Sequence, residues 1–217
     1  MAAGRKSQPS GKPARASATR SQPSGTRNAI LDVAERLVQS RGFNGFSYAD
    51  VAAELEITTA ALHYHFPGKA ELGDALIDRY SERFSQALDD IAAMEVPAPA
   101  KLRSYADLYL GVLRDQRMCL CGMLAAEYQT LPDGMRQGVV SFLDHNYEWL
   151  ASLLDMGRAE GSLHFEGTAE AAAEMIVGAL EGAMLVSRPY ANTDHFEVIA
   201  NRLIGEFTRQ ASANRSR

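Results

Sequence analysis

The sequence predicts an all-α fold of about nine helices. A short N-terminal unit carries a helix-turn-helix, and a larger helical body follows. Three observations carry this. Few segments alternate apolar and polar residues with the period of a strand. The chain is rich in alanine, with glycines and prolines gathered between helical patterns. Residues 42–69, GFNGFSYADVAAELEITTAALHYHFPGK, read as two short helices joined by a tight turn. That layout sets a helix into the DNA major groove. The implied organisation is a disordered basic arm over 1–25, a DNA-binding domain over 26–72, and a larger helical domain over 73–217.

The elements follow from local signals. A first helix runs from about Thr26 to Arg41, with Gly42 past its end. Ser47 then serves as an N-cap, with Asp50 three residues on as a capping-box partner. Tyr48, Val51, Ala52 and Leu55 recur at helical spacing behind it. Thr58 offers a fresh cap, so the next helix starts there and stops at Pro67-Gly68. Ala52 and Ala61 are small enough for the two helices to cross closely, over a core of Ile57, Leu62 and Phe66. The second of these helices is too short to stand alone and must be held by its neighbours. A fourth helix from Lys69 to about Met94 links this head to the body, and Pro97 and Pro99 mark the break after it. Further helices are expected over Pro99–Arg117, Met118–Thr130, Pro132–Glu160 (stopped by Gly161) and from Thr168 to about Arg188. The last, capped by Thr193 or Asp194, ends near Gln210.

From Thr26 to Leu72 the chain resembles the DNA-binding domain of the TetR family of bacterial transcriptional regulators. The resemblance rests on Ile30-Leu31 with Ala34 and Leu37, on Arg41-Gly42-Phe43, on Val51-Ala52, and on Leu62-His63-Tyr64-His65-Phe66 followed by Lys69 and Leu72. It implies that Tyr64 and His65, at the end of the recognition helix, contact phosphate. Lys69 opens the next helix, where an ammonium and a helix N-terminus both favour a phosphate. Ser47 and Thr58 bring hydroxyls and free amides at helix starts. Thr59, Ala60 and His63 are the positions expected to face base edges, through methyl contacts with thymine and an imidazole at a purine edge. Many family members carry a basic residue at the position of Thr59 and a glycine at that of Ala60. This chain has neither, which shifts weight toward phosphate contacts and DNA shape.

The net charge of −5 argues against a generally basic DNA binder. The basic groups are concentrated at the start: Arg5, Lys6, Lys12, Arg15, Arg20 and Arg27 stand there without one acid. This Ser-, Pro-, Gly- and Ala-rich arm repeats Ser-Gln-Pro-Ser-Gly at 7–11 and 21–25, and it holds too little apolar surface to order itself. It reads equally as a phosphate- or minor-groove-tracking arm or as a solubilising leader. It lacks the apolar stretch of a secretory signal. No apolar run approaches a membrane span, so no membrane contact is expected and a cytoplasmic location is.

In the body, the penultimate helix carries Ala169, Ala172, Ala173, Gly178, Ala179, Gly182 and Ala183. The last carries Phe196, Ile199, Leu203, Ile204 and Phe207. These two helices suit either an intramolecular core or a four-helix dimer interface. The resemblance points to a homodimer on a palindromic operator of double-stranded DNA. It also implies that 73–217 is an effector-binding and dimerisation domain, with Tyr105, Tyr109, Met118, Met123, Tyr128, His145, Tyr147 and Trp149 as candidate lining of a pocket for a small-molecule effector, although Met and aromatic residues at helical spacing are more often core than pocket. Arg114, Arg117 and Arg188 could pair with an anionic ligand or stand as surface groups. Cys119 and Cys121 point to different helix faces, which excludes a mutual disulfide. They pack as small core residues or, if Arg117 lowers a thiol pKa, act as a redox, electrophile or metal sensor. His145 and His164 are the further metal ligands available, with nothing to specify their convergence. No phosphate loop or nucleophile elbow is present, so neither an enzyme nor a cofactor is expected. The function read from the sequence is a ligand-responsive transcriptional regulator, a repressor released from DNA by its effector.

Overall fold

The computed structural model describes residues 23–208; residues 1–22 of the arm predicted over 1–25, and the residues after 208, lie outside it. Nine α-helices are formed among the described residues, with no strand. The head comprises α1 (Pro23–Arg41), α2 (Tyr48–Glu54) and α3 (Thr59–His65). α1 starts three residues before the predicted Thr26. It ends where predicted, because Gly42 takes the left-handed backbone at φ 85° that glycine adopts without penalty.

The caps of the helix-turn-helix form as the sequence dictates. Asp50 Oδ2 accepts from the Ser47 amide at 2.7 Å, and Ser47 Oγ accepts from the Asp50 amide at 3.4 Å. Thr58 Oγ1 accepts from the Ala61 amide at 3.1 Å. Val51, Leu62 and Phe66 are buried against Ile30, Leu31, Ala34 and Leu37 of α1. Ile57 is only half-buried at the edge of this core. At about 1.5–3 kcal/mol for each large side chain enclosed, it is this packing that holds the seven-residue α3.

Between α2 and α3 the chain turns through Glu56, a non-glycine residue at φ 53°. The left-handed region costs an L-residue roughly 1–2 kcal/mol, and Glu56 is exposed. Glu56→Gly is therefore expected to stabilise the protein by about 0.5–1 kcal/mol, after glycine's own entropy cost. A urea unfolding curve checks the shift.

The body comprises α4 (Lys69–Ala92), α5 (Ala98–Arg114), α6 (Leu120–Ala126), α7 (Asp133–Ala159), α8 (Ala169–Ser187) and α9 (Asp194–Thr208), with short 3-10 turns at Tyr128–Thr130 and Arg188–Tyr190. α4 runs from the head into the body, where it packs on α7. At Gly73 the Met135 thioether of α7 and the Phe43 ring pack directly against the α4 backbone, close to where a Cβ would stand. Among the described residues no helix is long and apolar enough to cross a membrane.

Three boundaries differ from the sequence reading. Pro99 does not break the chain; it sits in the first turn of α5, where its missing N–H costs nothing. α5 ends at Arg114 rather than Arg117, because Gln116 turns into the left-handed region at φ 59°. The segment read as one helix over Met118–Thr130 is two elements, the first capped by the Cys119 thiol, which accepts from the Gly122 amide at 3.4 Å. Of the two caps left open for α9, Thr193 takes the position: its carbonyl accepts from the Glu197 amide at 2.9 Å.

Phe196, Ile204 and Phe207 are buried within the protomer, as are Ala172, Ala173 and Ala183. Within the α9 stripe, Phe196, Ile204 and Phe207 are thus intramolecular core, while Ile199 and Leu203 are half-buried. The face that these two helices leave open is another one, with Met175, Leu185, Val186 and Val198 exposed and Gly178 and Gly182 beside open space.

Candidate nucleic-acid interface and internal cavity

The head presents α3 outward. Thr58, Thr59, Ala60, His63 and Tyr64 are exposed, Tyr64 to 82%, while Leu62 on the opposite side is fully enclosed. One short helix therefore has an anchored face and a free one, the form a reading helix needs. His63 is positioned from behind: Nδ1 lies 3.0 Å from the Pro67 carbonyl, and its ring sits 4.8 Å from that of Tyr48. The Tyr48 hydroxyl in turn donates to the Phe66 and Gly68 carbonyls at 3.0 and 2.5 Å. Burial, then the Glu71 charge, push that phenol up to about 12, so it remains a donor throughout the neutral range. His65 is half-buried, with its ring edge-on to Tyr64 at 5.2 Å.

Two predicted phosphate contacts are placed differently. The Ser47 hydroxyl donates to Asp50 Oδ2 at 2.6 Å, so its proton is committed to the capping box, beside an acid that the Ser47 hydrogen bonds hold below the usual carboxylate range. Lys69 turns inward. Its Nζ donates to the Phe43 and Phe46 carbonyls and lies 4.6 and 4.2 Å above the two rings. Burial lowers the pKa of this ammonium, which the charges of Glu127 and Asp50 partly restore. Lys69 pins the loop between α1 and α2.

The same loop is held from the body. Glu127 Oε2 accepts from the Phe43 amide at 2.6 Å, and Asn44 Nδ2 donates to Thr130 Oγ1 at 2.8 Å. On α1, Glu35 accepts from Arg79 at 2.8 Å and from Arg83 at 2.5 Å, and the Gln39 carbonyl accepts from the Met118 amide at 3.1 Å. Sequence reasoning had no access to these partners, which lie tens of residues apart along the chain.

At this seam lies a cavity of about 280 Å³. Glu35 and Gln39 of α1 form one wall, Tyr80, Arg83 and Phe84 of α4 another. Leu108, Tyr109 and Val112 of α5, with Arg117, close it. Of the eight candidate lining residues read from the sequence, only Tyr109 lines it. Tyr105 is wholly buried, stacked on Trp149 at 5.7 Å and donating to Asn146 Oδ1 at 2.8 Å. Trp149, Met123 and Tyr128 are half-buried elsewhere. His145 is exposed on a surface groove between α4 and α7. Aromatic content marked these residues, but the α5 packing uses most of it as core.

Both cysteines are free and buried. Burial pushes both thiols up, and the Glu181 charge pushes them further. Arg117 does not activate them, and the thiolate that an electrophile sensor needs is disfavoured. Among the described residues no three His, Cys, Asp or Glu side chains converge as metal ligands.

Glu181 of α8 is raised in turn by burial, while the Cys119 thiol that donates to it opposes the shift. Its Oε1 is enclosed without a partner. A carboxyl raised by folding contributes fully below its unfolded pKa, and the contribution is lost as pH rises through the folded pKa. Glu181→Gln is therefore expected to raise the melting temperature relative to the native chain at pH 8. At pH values below the usual carboxylate range the two should melt together. Thermal scans at both pH values check this.

Residues 30–76 match the profile of bacterial regulatory proteins of the tetR family, and residues 98–203 that of the tetracyclin repressor-like C-terminal domain. Transcriptional regulator AcuR of Cereibacter sphaeroides is 28% identical over 149 residues, spanning 67% of this chain and 68% of AcuR. HTH-type transcriptional repressor BepR of Brucella suis is 24% identical over 177 residues, spanning 76% of this chain and 81% of BepR. The crystal structure of a TetR-family transcriptional regulator from Agrobacterium tumefaciens superposes with a TM-score of 0.83 at 29% identity, over 87% of this chain and 100% of that one. With an outward-facing recognition helix on a capped three-helix head and a body that matches over nearly all its helices, the chain belongs to the TetR family of bacterial regulatory proteins and is a DNA-binding transcriptional regulator.

Proposed function

We propose that the chain is a repressor that binds a palindromic operator as a homodimer and is released when a small molecule occupies the seam cavity. One observation carries this reading: the cavity is walled by α1 of the head as well as by α4 and α5 of the body. A molecule bound there touches both units at once, so its affinity depends on the angle between them. That difference in affinity is what an effector needs to shift the population away from the DNA-binding arrangement.

The open face of α8 and α9, with Met175, Leu185, Val186 and Val198 exposed around Gly178 and Gly182, supports pairing of two copies through the last two helices. Apolar side chains contiguous on one face mark an interface more often than a solvated surface, and the glycines allow a close approach. A two-fold dimer sets its reading helices about 34–36 Å apart, one turn of DNA. Thr59, Ala60 and His63 are then the base-facing positions, with Thr58, Tyr64 and His65 toward phosphates.

Footprinting on a genomic fragment selected by the purified protein tests this. The expected protection is two-fold symmetric, with half-sites centred one helical turn or a small multiple apart. A single asymmetric footprint from a protein that sediments as a monomer contradicts it.

A further inference from the structure

We infer that His63 reads DNA as a hydrogen-bond acceptor, through Nε2, and so selects a base with an exocyclic amine in the major groove, adenine or cytosine, over guanine or thymine on the strand it meets. This rests on the base-facing reading of α3 and adds the chemistry of the base that His63 takes.

One hydrogen bond carries it. His63 Nδ1 lies 3.0 Å from the Pro67 carbonyl oxygen. A carbonyl oxygen only accepts, so the bond requires the proton on Nδ1. The partner of one ring nitrogen thereby assigns the tautomer, and in the neutral ring Nε2 is left bare. The opposite tautomer would set the Nδ1 lone pair against those of the carbonyl. No other hydrogen bond engages the ring among the described residues. His63 is exposed, so Nε2 is open to an outside donor.

The orienting carbonyl is itself fixed. The Tyr48 hydroxyl binds the carbonyls of Phe66 and Gly68, on either side of Pro67, and the proline ring locks its own φ. The Tyr48 ring also rests on the imidazole, 4.8 Å between centroids. Tyr48 of α2 is thus a positioning residue: it holds both the ring of His63 and the oxygen that decides where its proton sits.

The rest of the outward face of α3 offers no competing directional group. Thr59 and Ala60 are exposed four and three residues before His63, on the same side of the helix. Ala60 brings only a methyl. The Thr59 hydroxyl rotates to donate or accept, so it does not discriminate. The Thr58 hydroxyl already accepts from the Ala61 amide. A fixed acceptor does discriminate. In the major groove adenine N6 and cytosine N4 donate, whereas guanine N7 and O6 and thymine O4 accept. The preference should therefore separate amine from keto bases, not purines from pyrimidines.

Operator duplexes selected from a randomised pool by the full chain at pH 8, where imidazoles are generally neutral, test this. His63→Ala, checked for an unchanged melting temperature, locates the position whose preference depends on the imidazole. There, in one half-site, the amine is removed by placing purine for adenine or 2-pyrimidinone for cytosine. Separately, N7 of the purine in that pair is removed with a 7-deaza base. Loss of the amine is expected to weaken the native chain about five- to tenfold more than the alanine variant, and loss of N7 to affect both alike. Guanine or thymine preferred at that position, or a loss specific to N7, makes His63 a donor and overturns the inference. Equal weakening of every sequence by His63→Ala also overturns it, and puts the imidazole on phosphate. His63→Ala without effect on either affinity or preference removes the base-facing reading of His63 itself.

Discussion

Lys69→Met is expected to destabilise the protein by about 2–4 kcal/mol, because two charge-assisted hydrogen bonds are lost and two carbonyls are left without their donor. The residue opens α4, a position that by itself suggests a phosphate grip. Its ammonium instead reaches back to the Phe43 and Phe46 carbonyls and lies over both rings. The methionine keeps much of the stem's packing and removes the charge, so the change isolates the ammonium. Chemical denaturation reads the loss, and the salt dependence of DNA binding separates the two roles. A phosphate contact would leave stability unchanged and flatten the slope of log affinity against log salt by about two, one for each half-site of the dimer. A structural pin lowers the unfolding midpoint and leaves the slope of the remaining folded protein intact.

Tyr64→Ala is expected to do the reverse. The side chain is 82% exposed, so truncation should move stability by no more than about 0.5 kcal/mol. Operator affinity should nevertheless fall on the order of 100-fold, since a dimer loses the contact in both half-sites and a hydrogen bond to a charged phosphate is worth roughly 1.5–3 kcal/mol. Fluorescence anisotropy on a labelled operator, with a thermal scan of the same preparation, checks both halves. Loss of affinity accompanied by unfolding would place Tyr64 in the core instead. Together the two variants separate the head's scaffold from its reading surface, and they predict opposite behaviour for two residues five positions apart.

What could be read in advance was local. Ser47 and Thr58 cap α2 and α3 as their hydroxyls predict, and Gly42 and Gly161 end their helices at φ 85° and 71°. A cap is decided within four residues, so a sequence window contains the whole interaction. The contacts that join head to body were not legible, because Glu127 meets Phe43, and Met118 meets Gln39, across several intervening helices. The cavity is a product of those contacts. Arg117 was visible as a possible anion partner, but nothing in the sequence brings it to the same cavity as Gln39 of α1. The aromatics of α5 and α7 failed as a guide for a related reason: an aromatic at helical spacing has the same pattern whether it packs on Trp149, as Tyr105 does, or faces a void, as Tyr109 does. The stripe of α9 shows the same degeneracy. Phe196, Ile204 and Phe207 could equally have met a partner subunit, and only the packing of α8 on α9 assigns them to the protomer.

The central claim is that the exposed face of α3 reads a particular DNA sequence. The most direct test is the affinity of the purified protein for its selected genomic site against a scrambled duplex of equal length, at 50 and 200 mM salt. Preference for the selected site should exceed roughly a thousandfold and persist at the higher salt, as specific binders show. Equal, weak binding to both duplexes that vanishes as salt rises would contradict the account.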